Sequence, residues 1–475
     1  MSHEEKVDPD GIRNDGVPYY AASPQELKSY AEAREALSLL EVPVLFHTNN
    51  PHEYLYVAAF DGTGNDKFKD PDHETNIAAI DDQIGKLTGR IGDHVKAGYV
   101  PGPGTEDNTV ARLLDGAQGY TYDQRIEQMY KLFIEQAKRW RNTDPQAEIR
   151  VAGIGFSRGG EQEAGFARLL QERGIQDPAG AIYTYDRHHR ITHVTYTRPP
   201  LVASGHVAQA VGLLDPVGTG APERDYDRRL PPSVISGFQI IAADERRYYF
   251  KSDHIIDPGM TQEGRFLAVT VAGAHCDIGG SYNRDGLSIR SGDLLVDYVN
   301  ALADKPFLER QIVTRDLRLD VIHRSEDGML LYRITPKVNR ANPNGYNELL
   351  VPRSEMKQVA DPFNAEPVDA SLSRQFDRHR VATDLPSTDT TEAQQAPAHV
   401  LSSRLDRLLA AGQADDWKIF DRESHLMAFG NAGRDMLVRA NAQVDWQEQR
   451  ALEQAAQRQA MQQQPMQRSA PAMHH

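Results

Sequence analysis

Residues 149–160 read IRVAGIGFSRGG, and this stretch decides the fold. Residues 149–155 form a short apolar run, and the residues from about 160 to 173 have the periodicity of a helix. The serine of G-F-S-R-G would lie on the sharp turn between them, where flanking glycines avoid clashes with the tight backbone. The start of the helix would direct its free N–H groups at a developing oxyanion. Ser157 is therefore the candidate nucleophile.

Similar elements surround this strand and helix. Short apolar runs recur at residues 54–60, 208–214 and 266–272. Runs that are apolar on both faces are typical of strands buried in a mostly parallel sheet. Helical periodicity is found at residues 24–40 and 123–141. We therefore expect an α/β fold, with an α/β-hydrolase-like, mostly parallel sheet flanked by helices and an additional α+β C-terminal region.

The 475 residues are enough for two or three domains. We expect an N-terminal lead-in and helix, a catalytic core, an accessory α+β region and a disordered Gln-rich tail, at residues 1–50, 51–305, 306–446 and 447–475. The lead-in before residue 24 is expected to be flexible. Within the accessory region we expect a hairpin of LRLDVIHR with MLLYRI, a polar linker at about 360–398, a helix around 400–411 and a second hairpin of WKIFD with HLMAFG.

A serine nucleophile needs a general base, and the base needs an acid that orients it. Asp215 ends the apolar run AVGLLD, and His275 follows the run VTVAGA. Both lie just past the C-terminal end of a predicted strand, at the sheet edge where sites of open α/β sheets form. The order Ser, acid, His is also that of α/β hydrolases. Rivals remain for both roles: the acids Asp244, Asp253, Asp257 and Asp277, and the bases His206 and His254.

The Gly-rich turn FDGTGN follows the first predicted strand. We expect four backbone amides to form an oxyanion hole, those of Asp61, Gly62, Thr63 and Arg158. Two alternatives stay open: a plain tight turn, and a cation site, since three hard oxygen ligands are close in sequence, Asp61, Asn65 and Asp66. Their spacing does not match the EF-hand loop, and the chain holds neither a GxxxxGK[ST] loop nor a GxGxxG fingerprint. We therefore expect no metal and no cofactor.

Composition excludes several functional classes. Lys and Arg number 53 against 68 Asp and Glu, a net charge of −15, which argues against nucleic-acid binding and against strong attraction to anionic lipid. The single cysteine, Cys276, rules out an intramolecular disulfide. It is next to His275, and neighbours on an extended chain point to opposite sides, so a Cys nucleophile is disfavoured. With no signal-peptide pattern and no run of 18 apolar residues, we expect a chain synthesised in the cytoplasm.

Six motifs occur in order between residues 50 and 305: FDGTGN at 60–65, YVPGPGT at 99–105, GFSRGG at 155–160, LLDPVGTG at 213–220, AADERRYYF at 242–250 and GAHCDIGGSY at 273–282. In this combination the chain resembles the phospholipase effectors of the bacterial type VI secretion system whose serine lies in a GFSRG elbow. The resemblance implies Ser157 as nucleophile, Asp215 as acid and His275 as base. It implies phospholipase A-type cleavage of membrane glycerophospholipids, an antibacterial role after secretion into target cells, a secretion-apparatus carrier and a cognate immunity protein.

The chain departs from that family at three positions, Gly64, Gly160 and Cys276, where an aromatic residue, Ala and Ser are usual. An insertion at residues 183–200 separates Ser157 from Asp215, and we expect it to form a hairpin over the site. Two other functions stay open. One is a soluble carboxylesterase with the same triad, and the other is a catalytically silent hydrolase-fold adaptor.

Overall fold

The computed structural model describes residues 6–103, 119–187, 190–313 and 316–383. The chain divides into two units, residues 1–383 and 384–475, and all described residues belong to the first. The predicted helix around 400–411, the WKIFD hairpin, the Gln-rich tail and the linker beyond residue 383 lie outside the described residues.

The strands are β1 Tyr19–Ala21, β2 Glu41–Pro43, β3 Glu53–Phe60, β4 Val95–Val100, β5 Glu148–Phe156, β6 Ala181–Tyr185, β7 Ile191–Tyr196, β8 Gln209–Leu214, β9 Val234–Ala242, β10 Ser252–Asp253, β11 Gly259–Met260, β12 Phe266–Val271, β13 Val321–His323, β14 Tyr346–Asn347 and β15 Arg378–Arg380. The helices are α1 Pro24–Leu39, α2 Asn76–Gly85, α3 Gly89–His94, α4 Gly119–Thr143, α5 Arg158–Arg173, α6 Ala221–Asp225, α7 His275–Gly279, α8 Gly286–Ala301, α9 Leu330–Ile334 and α10 Ala370–Ser373.

A seven-stranded sheet forms the centre, in the order β11-β12-β9-β8-β5-β3-β4. Its neighbours are parallel except for the edge pair β11–β12, which is antiparallel. Strands β3, β8 and β9 are buried along their whole length, as expected for a parallel sheet covered on both faces. The four predicted strands are present as β3, β5, β8 and β12, and the predicted fold class is confirmed.

Helices cover both faces of this sheet because successive side chains of a strand point to opposite sides. In β3, Tyr56 packs with the core cluster formed with α4 and α5, whereas Leu55 and Val57 pack with the cluster formed with α1, α2 and α8. Helix α1 begins as predicted, with Ser23 and Glu26 forming a capping box. No helix within the described ranges is both long and apolar enough to cross a bilayer.

The predicted hairpin of LRLDVIHR with MLLYRI is wrong. Strand β13 pairs instead with β1, with Tyr20 opposite Ile322 in antiparallel register. The SEDG segment forms a short 3-10 turn, and the apolar run that follows it is helix α9. The lead-in is also fixed from residue 6 onward, since Asp8 and Asp10 form ion pairs with Arg284 at 2.9 Å.

The expected domain boundary after residue 305 does not coincide with the division of the chain at residue 383. Residues beyond 305 complete the core: Leu350 and Leu372 are buried within its apolar clusters. The described part of the predicted linker is also structured, because β15 pairs with β2 in antiparallel register. Residues 306–383 are therefore part of the same unit as the sheet.

The insertion after Ser157 does form a hairpin, β6–β7, but the hairpin packs on α4. Tyr196 lies 6.3 Å from Tyr130 between ring centroids, and Lys131 is over the ring of Tyr183 at 5.0 Å. The hairpin follows the C-terminal end of α5, about 24 Å along the helix from Ser157 at 1.5 Å per residue. The expectation that it covers the site is therefore wrong.

Candidate active site

Ser157 occupies a strained turn between β5 and α5. Its φ is 60° and its ψ −128°, a conformation that non-glycine residues rarely adopt. Its amide donates to the Leu214 carbonyl at 3.0 Å, and its carbonyl accepts from the Val217 amide at 3.3 Å. A Cβ on Gly159 would lie 2.2 Å from the Phe60 carbonyl oxygen, so only glycine fits there. The serine is thereby held between the ends of β3 and β8.

His275 and Asp215 are joined directly. The Nδ1 atom of His275 lies 2.6 Å from Asp215 Oδ2, and both side chains are buried. Burial lowers the pKa of His275, and the hydrogen bond to Asp215 opposes that shift only in part. The His275 ring packs on Phe156, the neighbour of Ser157, with centroids 4.6 Å apart. No hydrogen bond among the described residues joins Ser157 Oγ to His275, as is common before substrate binds.

Arg340 is a member of the site that the sequence analysis missed. Its guanidinium forms an ion pair with Asp215 Oδ1, and it also donates to the Phe250 carbonyl at 2.7 Å. The Ala242 amide donates to the same carboxylate oxygen at 3.0 Å. Burial alone would raise the pKa of Asp215, but Arg340 and His275 outweigh it and lower that pKa to about 2. The acid is therefore ionised and can hold His275 in one tautomer.

Two of the four predicted oxyanion-hole amides are already in use, which corrects that prediction. The Asp61 amide donates to the Val100 carbonyl at 3.0 Å, and the Gly62 amide donates to Asp61 Oδ1 at 2.7 Å. The amides of Thr63 and Arg158 make no such bond within the described residues. The Arg158 Nε donates to Thr63 Oγ1 and ties the turn to the elbow. Thr63 and Arg158 therefore remain the candidate donors.

The side chain of Asp61 is occupied within the fold. It accepts hydrogen bonds from Thr75 Oγ1 at 2.8 Å and from Tyr99 Oη at 2.6 Å, and burial raises its pKa to about 6. In the described ranges no cluster of three or more His, Cys, Asp or Glu side chains is arranged to hold a metal ion. Burial also raises the pKa of Cys276 to about 11, so this thiol is protonated at neutral pH.

The rival acids and bases have other partners. Asp277 pairs with His323 at 2.5 Å, and Asp253 pairs with the buried Arg228 at 2.6 Å. Asp244 accepts from the Gly273 amide at 2.8 Å. His254 stacks on Tyr346 at 4.4 Å, and His206 bonds the Ser204 carbonyl. Asp257 makes no hydrogen bond among the described side chains. It contacts no histidine there, so nothing supports it as the catalytic acid.

Three features define a protein of the α/β-hydrolase class, with the chemistry of an ester hydrolase: the strand order of the sheet, the strained strand-to-helix turn at Ser157 and the buried His275–Asp215 pair. Residues 55–198 match the family model described as "T6SS, Phospholipase effector Tle1-like, catalytic domain". The family predicted from the six motifs is therefore confirmed over those residues. The match includes Ser157 and ends before Asp215 and His275, and the catalytic roles of all three residues stay predictions.

Solved structures show distant similarity. An uncharacterized protein from Pseudomonas aeruginosa is 16% identical with a TM-score of 0.34, over 87% of this chain and 66% of that one. The Tle1 effector bound to the VgrG spike of a type 6 secretion system is 19% identical with a TM-score of 0.29, over 48% and 51%. The RedJ thioesterase from the prodiginine pathway of Streptomyces coelicolor is 14% identical with a TM-score of 0.23, over 52% and 87%.

The chain thus spans about two thirds of the first of these chains and about half of the second. Identities and TM-scores are low, so the fold class rests on the sheet order itself. No curated protein matches the chain.

Proposed function

We propose that this chain is a serine phospholipase of the A type, which hydrolyses the fatty-acyl ester bonds of membrane glycerophospholipids and is delivered by a type VI secretion system into competing bacteria. The observation that carries the proposal is the strained Ser157 at φ 60°, beside a buried His275–Asp215 pair. The family match over residues 55–198 supports the phospholipid as substrate.

In the acylation step, His275 Nε2 takes the proton of Ser157 as Oγ forms a bond to the ester carbonyl carbon. The amides of Thr63 and Arg158 bind the resulting oxyanion. Asp215 accepts a hydrogen bond from Nδ1–H of the imidazolium and stabilises its charge. When the tetrahedral intermediate collapses, the bond to the glycerol oxygen breaks and His275 gives that oxygen its proton. A lysophospholipid leaves, and the fatty acid stays esterified to Ser157.

In the second step, water attacks the acyl-enzyme while His275 takes a proton from it. The Ser157 ester bond breaks, His275 returns the proton to Ser157 Oγ, and the free fatty acid is released.

Partners follow from the proposed role. The solved Tle1 effector is bound to the VgrG spike of its secretion system. We propose a spike-type carrier for this chain by analogy, and an immunity protein that protects the producing cell.

The test is release of fatty acid from phosphatidylethanolamine/phosphatidylglycerol vesicles by the full chain, with Ser157→Ala and Ser38→Ala in parallel. Ser38 lies on α1, and its one hydrogen bond within the described ranges is to the Glu35 carbonyl, so it controls for the loss of a hydroxyl. We expect release by the parent and Ser38→Ala, and a fall of about 10⁶-fold in kcat for Ser157→Ala.

Equal release by both variants would refute Ser157 as nucleophile. Turnover of a water-soluble short-chain ester without release from vesicles would instead favour the carboxylesterase. A folded parent that is inactive on both substrates would favour the adaptor.

A further inference from the structure

Helix α9 has its apolar face turned outward. Leu330 is 72% exposed and Ile334 73% exposed, and the preceding Met329 is 39% exposed. Leu330 and Ile334 are four residues apart, so they lie side by side on one face of the helix. Tyr332, on the other side, is only 3% exposed. A cluster of large apolar side chains in water is the mark of a surface that binds something.

Two cations accompany this face. The Arg333 Nε donates to the Asp327 carbonyl at 2.7 Å. Lys337 Nζ donates to the Glu326 carbonyl at 2.9 Å and to the Tyr332 carbonyl. These acceptors are neutral backbone oxygens, and neither cation pairs with a carboxylate in the described part of the chain. Nearby Arg324, in contrast, is neutralised by Glu326 at 3.1 Å. The α9 patch, defined here as Met329, Leu330, Arg333, Ile334 and Lys337, therefore combines apolar side chains with net positive charge on a chain of charge −15.

The α9 patch lies close to the catalytic histidine. The ring of Tyr332 packs edge-on against Phe250 with centroids 5.9 Å apart, and Phe250 packs against His275 at 5.2 Å. Val217, in the same apolar cluster, donates its amide to the Ser157 carbonyl. Two ring contacts thus join the underside of α9 to His275. The α9 patch therefore lies on an element that packs, through two rings, against His275.

We propose that the α9 patch docks the enzyme on the anionic surface of a phospholipid bilayer. Leu330 and Ile334 enter the boundary between headgroups and acyl chains, and Arg333 and Lys337 contact the lipid phosphates. Interfacial segments bind such surfaces with apolar side chains flanked by cations whose charge no carboxylate neutralises. The inference rests on the proposed phospholipid substrate, because the patch would supply the surface contact that a lipase needs and that a net charge of −15 opposes.

The test separates binding from catalysis by measuring vesicle sedimentation in the full-length Ser157→Ala background. Vesicles of phosphatidylglycerol/phosphatidylethanolamine are compared with vesicles of phosphatidylcholine. The variant Leu330→Ser/Ile334→Ser should bind the anionic vesicles at least about tenfold more weakly than the parent. The matched control is Leu39→Ser/Ile182→Ser, at positions 54% and 58% exposed on other elements, and it should bind like the parent. Arg333→Gln should weaken binding about fivefold, with the difference disappearing at high salt.

A second assay distinguishes the docking proposal from the phospholipase proposal. It measures hydrolysis of a water-soluble short-chain ester by chains that keep Ser157. Leu330→Ser/Ile334→Ser should keep this activity and lose vesicle hydrolysis. Vesicle binding equal to that of the control would overturn the docking proposal and leave the phospholipase standing. If Leu330→Ser/Ile334→Ser binds vesicles like the parent but loses self-association, the proposal is also overturned, since the patch would then be an interface between copies of the chain. Binding without any hydrolysis by the Ser157 chain would refute the phospholipase alone.

Discussion

Arg340 is the partner that contributes most to lowering the pKa of Asp215, together with His275. It follows Asp215 by 125 positions and lies outside all six motifs. Burial alone would raise the pKa of the Asp215 carboxyl, and the positive charge of the Arg340 guanidinium opposes that shift. Sequence spacing cannot reveal such a partner, because an ion pair between distant segments exists only once the fold brings them together.

We expect Arg340→Gln to lower kcat on a soluble ester by about one to two orders of magnitude, as for other supporting partners of reactive groups. Its loss leaves the Asp215 charge buried with less compensation, and should lower the free energy of unfolding by about 3 kcal/mol. Steady-state kinetics and denaturant unfolding measure the two effects. Arg380→Gln removes an exposed cation 4.0 Å from Glu41 and should change neither. Arg340→Lys keeps the charge and should recover part of kcat, whereas equal loss in both variants would refute an electrostatic role.

The pH dependence of ester hydrolysis follows from His275. Its pKa lies below the ordinary 6.5, chiefly because burial disfavours the imidazolium. The base is competent only when neutral, so kcat/KM should rise with pH and reach half its plateau below pH 6.5. The profile is measured on a soluble ester, with circular dichroism at each pH to confirm that the chain is folded. A midpoint at or above 6.5 would contradict the buried-base assignment.

At the scale of elements, continuous apolar runs identified β3, β5, β8 and β12, but not β9. Strand β9 is buried throughout, yet Ser236 and Gln239 interrupt its apolar pattern. Both are satisfied by distant groups: Ser236 by Tyr298 Oη at 3.0 Å, and Gln239 by the backbone of Asp253 and Ile256 at 2.9 Å. A buried polar residue looks like a surface residue until its partner is known.

The wrong prediction of a local hairpin at β13 has a related cause. Two apolar segments around a turn predict a local hairpin, whereas the segment that actually pairs with β13 is β1, about 300 residues earlier in the chain. Local spacing favours near partners because closing a short loop costs little entropy. The final pairing is decided by which segment completes the core.

His323, on β13, connects helix α7 with the N-terminal segment. Its Nδ1 lies 2.5 Å from Asp277 Oδ1 and its Nε2 lies 3.0 Å from Asp15 Oδ2, with all three side chains buried. Asp277 also accepts from the amide of Ala274, which precedes His275, at 2.8 Å. The contacts of His323 with Asp277 and Asp15 therefore anchor the first turn of α7 to β13 and to the N-terminal segment.

The interactions of His323 with Asp277 and Asp15 make the free energy of unfolding depend on pH. Burial disfavours the charged His323, but Asp277 and Asp15 outweigh it and raise its pKa to about 9. A folded pKa above the unfolded 6.5 gives stability that is fully present below pH 6.5 and is lost as pH rises through 9, on the order of 3 kcal/mol. Urea unfolding at pH 6 and pH 9.5 should show this fall in the parent and much less of it in His323→Gln. An identical fall in both would assign it to other groups.

At the scale of the whole molecule, charge distribution matters more than total charge. Composition alone argued against attraction to anionic lipid, since the net charge is −15. Arg333 and Lys337 lie beside the exposed side chains of Leu330 and Ile334, and neither pairs with a carboxylate among the described residues. Within a Debye length of about 8–10 Å, a surface responds to its own nearby charges. A sum over the sequence could not show this arrangement.

The catalytic candidates were predictable because they follow strands whose apolar pattern is plain, and parallel strands end at one edge of a sheet. The supporting residues were not. Arg340, His323 and the α9 patch all come from residues 306–383, which the sequence indicated as an accessory region. They act through contacts with β8, α7 and Phe250 that no local pattern encodes.

Left-handed backbone at Ser157 costs the folded protein on the order of 1–3 kcal/mol, which the rest of the core must offset. Glycine adopts φ 60° without that cost. A change of Ser157 to glycine would therefore abolish the nucleophile and stabilise the fold in one step. At this position, the stability of the fold and the proposed catalytic role of the serine therefore act in opposite directions.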